Sequence, residues 1–178
     1  MTSTEKNRQS AFVPLLLLLA LLSTLALALG GTMNHAQPSA LDASALKAII
    51  TSLVQKRHSR TEIVNLFGSP QDALDAHQIR IKPKFANVNS TQVLDAGADT
   101  DFIELGGVGG LSVAELSRIL GQPRLSPPLP DGSGRTVVFS IRTSSTECRL
   151  VVTIPLRADP EQAPAEGLTI RCDHGLGA

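Results

Sequence analysis

Three short runs near the C-terminus, residues 136–142, 147–155 and 167–172, alternate apolar and polar side chains with a period of two. Val137, Phe139 and Ile141 share one side of the first run. Cys148, Leu150, Val152 and Ile154 share one side of the second, and Leu168, Ile170 and Cys172 of the third. Successive side chains of a strand point to opposite faces, so each run reads as a strand with one buried face. The connections at 143–146 and 156–166 suit an antiparallel meander. Pairing the second and third strands with their apolar faces together sets Leu150 opposite Ile170, Val152 opposite Leu168, and Cys148 opposite Cys172. These two are the only cysteines of the chain, so a single internal bridge is possible, and an oxidising compartment would close it. The alternative is a pair of buried thiols.

Compartment is addressed by the other end of the chain. Lys6 and Arg8 precede residues 11–29, which carry no charge (AFVPLLLLLALLSTLALAL). Nineteen residues at 1.5 Å each span about 28 Å as a helix, close to the hydrocarbon thickness of a bilayer. With the basic side retained in the cytoplasm, the rest of the chain lies outside. The length fits a retained anchor; Ala26-Leu27-Ala28 and Ala28-Leu29-Gly30 fit a cleaved signal instead. No cysteine follows the run, which excludes a lipid-anchored form. The expected order is a cytoplasmic N-terminus at 1–10, an anchor or uncleaved signal at 11–29 and a polar linker at 30–40. A mainly helical first half with short strands follows at 41–106, then a helix with a three-stranded meander at 107–174, and a tail at 175–178.

A helix is predicted from Ser39 or Asp42 onward, with Leu46, Ile49, Ile50, Leu53 and Val54 as its apolar stripe. Two shorter helices follow, each written the same way. Ser59 with Glu62, and Ser112 with Glu115, are capping boxes. Gly68 and Gly121 are expected in the left-handed conformation after the last turn, with Pro70 and Pro123 blocking continuation. The two copies lie fifty-three residues apart, so that Ile63 matches Leu116 and Leu66 matches Ile119. Either a degenerate tandem repeat or two independent uses of one capping pattern accounts for this. Residues 78–85 read as an edge strand broken at Pro83, 86–100 as a loop, 101–105 as a short strand, 106–110 as a flexible glycine turn and 124–135 as a connector.

Motifs that would announce chemistry are missing. His35, His58, His77 and His174 have no metal-ligand spacing and read as surface or capping residues. The glycine run before Ser112 lacks the phosphate-loop spacing and its lysine. Asp95, Asp99, Asp101 and Glu104 do not follow the calcium-loop pattern. No cofactor is expected. Sixteen basic and sixteen acidic residues cancel, and the chain has five Phe but neither Trp nor Tyr. That composition gives neither the charge footprint nor the stacking platforms of a nucleic-acid binder.

The segment 110–123, GLSVAELSRILGQP, followed by antiparallel strands, resembles the BamE (SmpA/OmlA) superfamily of small envelope proteins. Tandem copies of a related helix–sheet unit also build the beta-lactamase inhibitory proteins. The resemblance implies an α+β fold in which short helices pack on an antiparallel sheet of three or more strands. It implies a non-enzymatic protein that binds or scaffolds other envelope proteins in the periplasm. A bitopic component of a secretion or pilus machine, and a small inhibitor or hydrolase, are the alternatives.

Overall fold

The computed structural model describes residues 39–74, 77–95 and 99–176. Its centre is one eight-stranded antiparallel sheet with the strand order β1-β2-β3-β4-β8-β7-β6-β5. The strands are β1 (Gly68–Ala73), β2 (Gln78–Pro83), β3 (Val88–Asp95), β4 (Thr100–Val108), β5 (Arg124–Pro128), β6 (Gly134–Arg142), β7 (Thr146–Pro155) and β8 (Gly167–His174). Three helices accompany them: α1 (Ala43–Gln55), α2 (Arg60–Phe67) and α3 (Val113–Leu120). Strands β1–β4 and β5–β8 form two successive meanders, each entered from a short capped helix, and β4 pairs with β8 to join them.

This corrects the expected fold class. The sheet has eight strands rather than a three-stranded meander beside a mainly helical half, because each half supplies four. Residues 78–83 form an inner strand flanked by β1 and β3, and the true edge is β1. Residues 86–100, read as a loop, contain β3. Gly106 to Val108 complete β4 instead of forming a flexible turn, and β5 lies inside the expected connector. The segment 11–29 lies outside the described residues, among which no helix is long and apolar enough to cross a membrane.

The cause of the layering is visible in the register. One face carries rows of side chains, apolar but for Thr91, that run across the strands: Ile79, Val93, Ile103, Ile170, Leu150 and Phe139 in one, and Ile81, Thr91, Leu105, Leu168, Val152 and Val137 in the next. Ile103, Ile170 and Leu150 are wholly buried. Leu46, Ile50 and Leu53 of α1, Phe67 of α2 and Leu116 of α3 complete this core. Each buried aliphatic side chain contributes about 1.5–3 kcal/mol of transfer free energy.

Helix ends are tied locally. Asp42 caps α1, its carboxylate accepting from the Ala45 N–H at 2.7 Å. At the other end His58 Nε2 lies 3.2 Å from the Ser52 carbonyl oxygen, a side-chain partner for one of the helix's last carbonyls. The chain entering α1 is clamped to the sheet by Asn87. Its amide oxygen accepts from Leu41 N–H at 2.6 Å, and its amide nitrogen donates to the carbonyls of Leu41 at 3.0 Å and Gly109 at 2.5 Å.

Candidate functional site: the open face of the sheet

All three helices pack on the apolar face, so among the described residues the opposite face of the sheet has no covering layer. Two neighbouring rows of side chains cross it. One runs Arg80, Gln92, Glu104, Thr169, Val151, Val138, Arg124; its neighbour runs Gln78, Leu94, Phe102, Arg171, Arg149, Ser140. Leu94, Phe102, Val138 and Val151 are half-buried where they stand, whereas the arginines are exposed. On the β2–β4 side the amide of Gln78 donates to Gln92 at 2.5 Å, and Gln92 donates in turn to Glu104.

The β7–β8 side carries the guanidinium groups. Arg149 Nε and Nη2 each lie 3.2 Å from a different carboxylate oxygen of Glu147, two residues back on the same strand. Arg171 Nε sits 3.0 and 3.2 Å from the two oxygens of Asp173. This donation from Arg149 is the main reason that the Glu147 carboxyl titrates below its ordinary range, and it raises Arg149 in return. Arg149 and Arg171 are themselves direct cross-strand neighbours.

A second polar cluster closes one end of the sheet, on the helix side. His174 Nε2 is 2.9 Å from Asp101 Oδ2, and its Nδ1 is 3.3 Å from the hydroxyl of Thr146. His77 lies 3.8 Å from Asp95, which pairs with Asp101 across β3 and β4. Asp99 receives Arg57 at 3.2 Å. A cleft of about 290 Å³ opens here, lined by His58, Arg60, Asp95 and Asp101 among others. Among the described residues no three His, Cys, Asp or Glu side chains are placed to hold a metal ion.

Cys148 and Cys172 form a disulfide, with Cα atoms 4.0 Å apart in the expected register and both side chains fully buried. Both serine caps are closed reciprocally: Ser59 accepts from Glu62 N–H at 3.3 Å while Glu62 accepts from Ser59 N–H at 2.8 Å. Ser112 and Glu115 do the same at 3.3 and 3.0 Å. These residues do not converge. The first cap belongs to α2 beside β1–β3, the second to α3 beside β6, and Pro70 and Pro123 lie in and before separate edge strands.

Gly121 has φ +93° and ψ −169°, a combination essentially confined to glycine. Gly68 departs from expectation. Its backbone is extended, and glycine is needed because a side chain there would collide with the Lys82 carbonyl oxygen.

Of the histidines expected at the surface or as caps, His58 is buried, at 8% exposed, but does cap α1 through the Ser52 carbonyl, whereas His174, whose side chain is 9% exposed and engages Asp101 and Thr146, is neither. His35 lies outside the described residues. The arginine pair carries no motif of its own, but the register that opposes Cys148 to Cys172 necessarily opposes Arg149 to Arg171. No protein-family model, no curated protein and no solved structure matches this chain.

Proposed function

We propose that the chain is a protein-binding or scaffolding module of a bacterial envelope, delivered across the inner membrane by residues 11–29 and working in the periplasm through the open face of its sheet. The observation that carries this reading is the one-sided layering: helices cover one face of an eight-stranded sheet, and the other retains half-buried Phe102, Leu94, Val138 and Val151 among exposed arginines. Interleaved apolar and arginine side chains are what protein interfaces favour. Neighbouring strands lie about 4.8 Å apart, so eight of them offer a face broad enough for an interface of ordinary size, about 800 Å² per partner. The disulfide supports an oxidising compartment.

Two measurements test the proposal in living bacteria. A phosphatase fused after Ala178 should be active, and a cytoplasm-dependent fluorescent reporter at the same place should be dark. A photo-crosslinking residue at Val151, on the open face, should yield a discrete protein adduct. The same residue at Lys47, on the exposed side of α1, should not. A bright cytoplasmic reporter, or adducts from Lys47 alone, would refute the reading.

A further inference from the structure

We infer that the partner of the open face is a protein presenting a carboxylate-rich surface; this rests on the binding role proposed above. The basic side chains of that face, Arg80, Lys82, Arg124, Arg142, Arg149 and Arg171, are all exposed. Its acids Glu104, Glu147 and Asp173 are half-buried, and only Asp72 at the sheet edge is exposed. The difference in height is plain within each pair. The Arg149 side chain is 47% exposed against 19% for Glu147, and that of Arg171 is 51% against 20% for Asp173. Carboxylates lie against the sheet and guanidinium groups stand above them, so an approaching molecule meets positive charge first.

The placement of Arg149 opposite Arg171 points the same way. Like charges directly opposed across two strands destabilise a sheet, so folding alone does not account for them. Glu147 and Asp173 fix the two guanidinium planes from the side without using all their donors. Asp173 engages only Nε of Arg171, and Nη1 of Arg149 takes no part in the Glu147 pair. Two oriented forks with donors to spare match carboxylates in a bidentate geometry. Phe102, in the same row as Arg171, and Val151, in the next, give apolar ground from which contact excludes water and strengthens the ion pairs. A membrane is the poorer match, because its apolar contacts must protrude beyond the charges, and here they lie between them.

The test extends the Val151 crosslink in full-length protein, with mass spectrometry of the crosslinked peptide and the double variants R149Q/R171Q and R149E/R171E. The adducted peptide should come from a different protein and lie within an Asp/Glu-rich patch. Its yield should fall about tenfold or more in R149Q/R171Q, and changing the mapped acids to arginine should restore it in R149E/R171E. The unfolding midpoint of each variant separates loss of binding from loss of fold, and the neutral pair serves if charge reversal fails to fold. An adduct whose yield ignores both substitutions would overturn the acidic-partner inference while leaving the open face as the binding surface. A phospholipid adduct, or one with a second copy of this chain, would overturn it too. Adducts from Lys47 but not Val151 would remove the binding-face reading itself.

Discussion

Single glycines show how one residue type answers two different demands. Gly121 is required by its dihedral angles alone: its φ is positive, although a side chain there would meet nothing but open space. Gly68 is required by contact alone. Gly107 combines both, with φ +61° and the Asn89 side-chain amide against the position of a Cβ. Gly121→Ala should therefore cost about 1–3 kcal/mol, and Gly68→Ala a similar amount by overpacking. Gly107→Ala, cheap if the segment were a flexible turn, should also cost about 1 kcal/mol or more. Urea unfolding of the three variants measures this, and a negligible effect at Gly68 would contradict its close approach to Lys82. At Glu62 the demand is electrostatic. The Ser59 N–H, then its hydroxyl, then Lys56 hold this carboxyl down at about 2 from an ordinary 4.5. A depressed folded value means that the cap contributes above pH about 4.5 and is lost as pH falls through about 2. An NMR titration should find that midpoint, and Glu62→Gln should flatten the stability profile within the window.

Among the elements, the disulfide ties β7 to β8 beneath the polar end of the sheet, closing a loop with a sequence separation of 24. Loop-closure entropy puts its contribution at about 3 kcal/mol. Native, unreduced protein should show no alkylatable thiol, and Cys148→Ala/Cys172→Ala should lower unfolding stability by that order; two reactive thiols would disprove the bridge. The strands it joins were legible because each has a buried face of Leu, Ile, Val or Cys facing a solvated one, which fixes period and register together. β1 (GSPQDA) was not, because an edge strand with no buried side chain leaves no alternation to detect. β5 (RLSPP) hides behind two prolines that suit an edge position. β3 is masked in the sequence because Thr91 occupies a core position, 1% exposed between Ile81 and Leu105, so its pattern reads as polar. The helices were legible from their caps, which are local. The open face was not, since it exists only once β4 and β8 are known to pair.

That pairing is the whole-molecule consequence on which the fold depends. Each meander is locally connected, but β4 and β8 are separated by α3, β5, β6 and β7 in sequence, and their contact alone joins the two halves of the sheet edge to edge. Ile103 and Ile170 face each other at the seam and are both 0% exposed, in a row that extends through Val93 on one side and Leu150 on the other. Neither meander could leave this seam without exposing an apolar row and a line of unpaired backbone groups. The two should therefore unfold together. Ile103→Ala and Ile170→Ala should each cost about 2–5 kcal/mol through the cavity left behind. Either one, although placed in a single meander, should lower amide protection in β2–β3 and in β6–β7 to the same extent. The outer edges at β1 and β5 should exchange faster in every variant. Hydrogen exchange resolved by strand is the measurement. If Ile103→Ala released β2 and β3 while β6 and β7 kept their protection, the halves would be separate folding units and the seam only a docking contact. Equal loss across the sheet is the expected result, because an inner pair of strands with no free edge transmits the defect to both neighbours.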